Sequence, residues 1–167
     1  MADGKVQGVI EGISVWTEGE HRMGYDYTAY FQQLRERVNS AVRVPFREVQ
    51  FNGEEPRLND CHRNVDCWVK NHPETKAVRG WLFWPHNEAG QYTFVAHSVV
   101  DENGQLVDIT PLDPNTRREG LVFLKHLGTE VDFSVMKTPC SRVLYPPFTF
   151  DEWHDSQLPV VEEAMNS

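Results

Sequence analysis

Cysteine is scarce in this chain of 167 residues, occurring only as Cys61, Cys67 and Cys140. An odd, low count excludes a disulfide-stapled scaffold. There is no C-x-x-C pair, so a structural zinc site built on thiolates is not expected. Positive charge is also short, with Lys plus Arg at 16 against 25 for Asp plus Glu and a net charge of −9. A surface that acidic argues against nucleic acid or an anionic membrane as main partner. Long apolar runs are missing, since nothing approaches the roughly 18 residues of a spanning helix. The opening MADGKVQGVIEG lacks the apolar stretch of a signal peptide. Neither internal repeats nor low-complexity stretches occur. The expectation is a soluble, cytoplasmic protein with no membrane or nucleic-acid partner and no cofactor. Its oligomeric state stays open.

What is present is ordinary globular material, 40% apolar and 25% charged. Gly-punctuated apolar residues around Val9 to Val15 suggest one or two short strands. Tyr27, Tyr30, Phe31, Leu34 and Val38 fall on one helical face, which predicts a helix over 27–40 with Asp26 as its cap. Phe46 to Phe51 reads as a strand ended by the Asn52-Gly53 turn. Cys61, Val65, Trp68 and Val69 share a face of a second helix over 59–71, capped by Asn59 or Asp60 and closed by Pro73. On that helix Cys67 sits roughly 240° around from Cys61 and about 9 Å along the axis, so the two thiols cannot bridge. Strand-like runs follow: Lys76 to Trp84, broken at Gly80, then Gln91 to Val100, Leu106 to Thr110, Leu121 to Leu124 and Val131 to Met136. Helices followed by consecutive strands favour an α+β fold, with the N-terminal helices packed on an antiparallel sheet. Residues 1–150 read as one domain and 151–167 as an acidic, partly ordered tail on which Trp153 is a possible anchor.

Three side chains carry the chemical interest. Cys61 would occupy the first turn of its helix, where unpaired N–H groups favour the thiolate. The plainer reading makes it a small core residue beside Val65 and Trp68. His97 lies in a strand apolar on both faces, hence central and buried, where each ring nitrogen needs a partner. It is either a satisfied core histidine or a general base. Asp108 lies between Val107 and Ile109, a poor place for a filler carboxylate. A four-residue turn Asp101-Glu102-Asn103-Gly104 sets His97 opposite Asp108, whereas a three-residue loop with a Gly bulge sets Ser98 there instead. Together the three residues form a Cys-His-Asp relay. Cys61 attacks an acyl carbon, His97 moves the proton and Asp108 orients the ring. The Cys61 N–H helps hold the oxyanion, with Asn59, Asn64 or Trp81 Nε1 as candidate second donors.

A helix-borne Cys, a strand His and an Asp on the next strand resemble the papain-like/transglutaminase-like cysteine-enzyme superfamily. The run H-S-V-V-D-E-N-G-Q-L-V-D-I-T-P is similar to the His-hairpin-Asp end of the transglutaminase-like core and of arylamine acetyltransferases. The series C-H-R-N-V, G-W-L-F-W, H-S-V-V, D-I-T-P and V-F-L also resembles a small, poorly characterised bacterial domain. The likeness covers residues 55–126. It implies a papain-like/transglutaminase-like core and a cysteine hydrolase or acyltransferase acting on an amide or related acyl bond of a small molecule or peptide. Departures are visible too: no Gly-x-Cys-Trp signature occurs, and His62 stands where a transglutaminase-like Trp would follow the Cys.

Other readings compete. A non-catalytic binding or regulatory domain would keep the fold and use the same cleft. His62 and His97 with an acid could ligate a metal, but H-x-H, H-E-x-x-H and paired-carboxylate spacings are absent, so no metal site is expected. Trp68, Trp81, Phe83 and Trp84 line either an aromatic groove or, more simply, the core. Arg117-Arg118 reads as a solvated face and Cys140 as structural.

Overall fold

Tyr27, Phe31 and Leu34 bury the inner face of helix α1 (Tyr27–Glu36), and the chain then tightens into a 3₁₀ turn over Val38–Ser40. The computed structural model describes residues 9–10, 13–14, 27–51, 55–85, 90–111, 121–138 and 141–146. The expected acidic tail, Asp26, the Asn52-Gly53 turn, Arg117-Arg118 and Cys140 lie outside these residues. Among the described residues there are two further α-helices, α2 (Cys61–Asn71) and α3 (Glu130–Met136). No helix among them is long and apolar enough to cross a membrane.

The strands are β1 (Val9–Ile10), β2 (Ile13–Ser14), β3 (Val42–Arg43), β4 (Lys76–Pro85), β5 (Tyr92–Glu102), β6 (Gln105–Val107), β7 (Val122–Lys125) and β8 (Arg142–Tyr145). They form one sheet in the order β1-β2-β8-β5-β4-β7-β3, with β6 also on β5. The six strands β3 to β8 pair antiparallel throughout, and β2 joins β8 in parallel. The fold is thus mixed α+β. On one face Trp81, Phe94 and Ala96 pack against Phe31, Leu34, Phe133 and Met136. Val65 of α2 meets Val100, Val107 and Ile109. Burial of these side chains is the main stabilising term.

One feature of the sheet positions the site. On one side β5 pairs with β4 along its length. On the other, β8 takes Tyr92 to Val95 and β6 takes Val100 to Glu102. The β8 side extends only as far as the Ala96 N–H, which donates to Ser141 O at 2.9 Å. His97, Ser98 and Val99 fall in the gap between the two partners.

Four sequence expectations change. Val131 to Met136 is helical, not extended. Thr129 and Asp132 form a capping box, and Phe133 and Met136, three apart, go inward. Phe46 to Phe51 is not a strand. Only Phe46 bridges, to Asp108, while Val49 and Phe51 pack irregularly on the α2 cluster. β4 runs unbroken through Gly80. A Cβ there would lie 2.1 Å from Leu124 O and 2.5 Å from the Phe123 ring, so glycine permits the close approach of β7. Finally, the β5–β6 turn has two residues, with Asn103 at φ 53 and Gly104 at φ 92, the type I′ geometry of tight hairpins. Val100 therefore pairs with Val107, not with Gln105.

Candidate active site

Cys61 is the first residue of α2 and is buried. The loop before it is fixed from two sides. Asn64 accepts from the Arg57 N–H at 2.8 Å and donates to the Arg57 carbonyl at 2.7 Å. The Asn59 N–H donates to Pro111 O at 3.0 Å, tying the loop to the segment that carries Asp108. Asn59 takes a left-handed φ of 57, which asparagine tolerates better than most residues. Asp60 holds the N-cap position without a side-chain cap bond. Its carboxylate lies 3.9 Å from Arg57 instead. The first-turn N–H groups therefore keep their partial positive charge beside the sulfur.

Asp108 leaves β6 and joins the 45–47 segment. Its N–H donates to Pro45 O at 2.9 Å, and its carbonyl accepts from the Arg47 N–H at 2.8 Å. The Asp108 carboxylate accepts from the Thr110 N–H at 2.9 Å, which fixes its direction. Its Oδ1 lies 3.4 Å from His97 Nε2. His97 and Asp108 are both buried. Neither Nε2 nor Oδ2 has a partner in hydrogen-bond geometry, so charge attraction between the two groups is what offsets their burial. The even shift in hairpin register kept Asp108 on the His97 face, although Val99, not His97, is its notional opposite.

Burial alone pushes the Cys61 thiol up. The His62 and His97 rings beside the sulfur outweigh it and lower the pKa from 9.0 to about 6. Burial alone pulls His97 down. The pull of Asp108 and Cys61 reverses this and raises its pKa from 6.5 to about 10. Both shifts point the same way: at neutral pH the favoured state is a thiolate beside an imidazolium.

A second imidazole reaches the sulfur, in a role that no motif announced. His62 Nδ1 lies 3.8 Å from Cys61 Sγ and 2.7 Å from Ser98 Oγ. Arg79, paired with Ser98 across β4 and β5, donates to the same Oγ at 2.9 Å. Arg79 is itself held by Asp66 and by Glu130, the latter at 2.8 Å. Adjacent helix positions do not share a face, so nothing in the spacing pointed to His62 and Cys61 acting together.

The proposed second oxyanion donors part ways. Asn64 spends its amide on Arg57, as described above. Trp81 Nε1 donates to the Tyr30 hydroxyl at 2.7 Å, and Tyr30 meets His126 Nδ1 at 2.6 Å. Both indole and amide are thereby removed from the site. Asn59 alone of the three lines the cleft, which has a volume of about 450 Å³ and is also lined by Cys61, His97 and Thr110. The aromatic residues divide as well. Trp81 is core, Trp68 stacks on His72 at 3.8 Å, and Trp84 lines the cleft. Cys61 and Cys67 are both free thiols. Among the described residues no group of three or more His, Cys, Asp or Glu is gathered to hold a metal ion. Comparison of the chain with protein-family models, curated proteins and solved structures returned no match.

Proposed function

We propose that this chain is a cysteine-dependent hydrolase or acyltransferase with a papain-like/transglutaminase-like core, acting on an amide or related acyl bond in the cytoplasm. The observation that carries the proposal is that a helix-start thiol and a buried imidazole line one cleft, with a buried carboxylate 3.4 Å from that imidazole, which falls where β5 lacks a partner strand on one side.

In this reading Cys61 attacks the acyl carbon as thiolate, forming a C–S bond while the carbonyl electrons move to oxygen. The Cys61 N–H and the Asn59 side chain stabilise that oxyanion. With Nε2 turned to Asp108, Nδ1 is the His97 nitrogen left to face the sulfur. It gives its proton to the leaving amine as the C–N bond breaks. Water or a second amine then attacks the thioester, neutral His97 takes the incoming proton, and the thiolate departs. Asp108 stays ionised throughout and holds the ring in orientation.

The test is acylation with p-nitrophenyl acetate. The expected result is a burst of nitrophenolate with one acetyl group on the Cys61 peptide, lost in Cys61→Ala and slowed in His97→Ala. Acetylation confined to lysines, with Cys61 unmodified, would refute catalysis and favour a binding domain using the same cleft.

A further inference from the structure

The cleft has a composition that speaks to its substrate. Its wall away from Cys61 is apolar, made by Leu82, Val95 and Leu121 with the Trp84 ring. Beyond the Cys61–His97 pair, Arg142 is the single charged residue among its described lining, which holds no carboxylate. That is notable in a chain of net charge −9. The register explains the placement. Arg142 on β8 is opposite Val95 on β5, and Val95 is opposite Leu82 on β4, so the three form one row across a single sheet face. His97 stands two residues further along β5 on that face. Successive rows are about 7 Å apart and neighbouring strands about 4.8 Å, which puts Arg142 roughly 8 Å from His97, Cα to Cα.

The guanidinium lies 5.9 Å from the centre of the Trp84 ring. No carboxylate of the described residues pairs with it. A guanidinium held near an indole ring by cation–π attraction spends none of its N–H groups there and keeps them to grip a planar anion.

We propose that Arg142 selects the substrate: the cleft takes an acyl group with a short apolar body that ends in a carboxylate, bound at the Arg142–Trp84 end while its carbonyl lies at Cys61. The assignment rests on the acyl-transfer reading for the position of the reacting carbon. A chain of three or four methylene groups between the two carbonyl carbons matches the row spacing.

The experiment measures binding, not turnover. Cys61 is alkylated with iodoacetamide in the presence of glutaramate or pentanamide, two amides of equal length that differ in the terminal carboxylate. Glutaramate should protect at a concentration about tenfold lower than pentanamide, as expected of a charge-assisted contact. The preference should fall to near parity in Arg142→Gln and be partly kept in Arg142→Lys. Equal protection by both amides in the native chain would overturn the assignment, and so would a preference that survives Arg142→Gln. Acetylation of Cys61 by p-nitrophenyl acetate reports separately on catalysis. Acetylation without a carboxylate preference leaves acyl transfer standing and removes Arg142. A carboxylate preference without acetylation does the reverse.

Discussion

Alkylation of Cys61 by iodoacetamide should follow the ionisation of a thiol with a pKa of about 6. At pH 7 such a thiol is roughly nine-tenths ionised, whereas one at the ordinary 9.0 is about one-hundredth ionised, a ratio of about 90. A thiolate of lower pKa is also a weaker nucleophile, and over three pH units that costs about 15- to 30-fold. The net advantage at pH 7 is therefore only about three- to sixfold. At pH 5.5 the ionisation ratio grows to about 760, and the advantage to roughly 25- to 50-fold. Burial of Cys61 scales its absolute rate without moving the midpoint. The assay is time-resolved labelling between pH 5 and 9, with the three cysteine peptides separated by mass spectrometry. The Cys61 rate should level off above pH 7. A rate that keeps rising about tenfold from pH 7 to 8 and about fivefold more to pH 9 would show an ordinary thiol and refute the reasoning.

Asp108→Asn keeps an acceptor for the Thr110 N–H but removes the charge facing His97, so acylation of Cys61 should slow by roughly 10²- to 10⁴-fold with little loss of fold. A loss under threefold would deny Asp108 its role. In His62→Ala the thiolate loses one of its two imidazole contacts, and the alkylation midpoint should rise by about one pH unit. An unchanged midpoint would mean that His62 serves Ser98 alone. For acyl transfer, which needs both the thiolate and the imidazolium, activity should appear as pH rises through about 6 and be lost as it rises through about 10. Activity that climbs without an upper limb would exclude His97 as the acid. Gly80→Ala forces a Cβ against Leu124 O and the Phe123 ring, and should destabilise the fold by about 2 to 4 kcal/mol in urea unfolding. A loss below about 0.5 kcal/mol would show that β7 can yield.

The site was legible in the sequence to the extent that its cause was local. Cys61 sits at a helix start because apolar residues recur at 61, 65, 68 and 69 and polar residues precede them. His97 was legible as buried because both faces of its strand are apolar. The face of Asp108 survived an error in register because the hairpin turn was two residues shorter than expected, and a shift of two restores the same side. The Asn103-Gly104 pair was the missed sign of the shorter turn. Where tertiary contacts decide, local pattern misled. Val131, Phe133 and Val135 alternate with polar residues like a strand, yet Thr129 and Asp132 cap a helix there. The short strands β3 and β8 gain their conformation from β7 and β5, and no local pattern marked them. The reach of His62 to both Cys61 and Ser98 depends on where α2 enters the sheet, which spacing does not encode.

The proton between Cys61 and Asp108 is the heart of the matter, and ¹⁵N NMR of the His97 ring locates it directly. At pH 8 both ring nitrogens of His97 should carry protons, because its pKa is raised to about 10, and Cys61→Ala should lower that pKa by removing one of the two partners that hold the proton, leaving Asp108 as the other. A His97 ring that is already neutral at pH 8 in the native chain, and unchanged by Cys61→Ala, would contradict the thiolate–imidazolium pair.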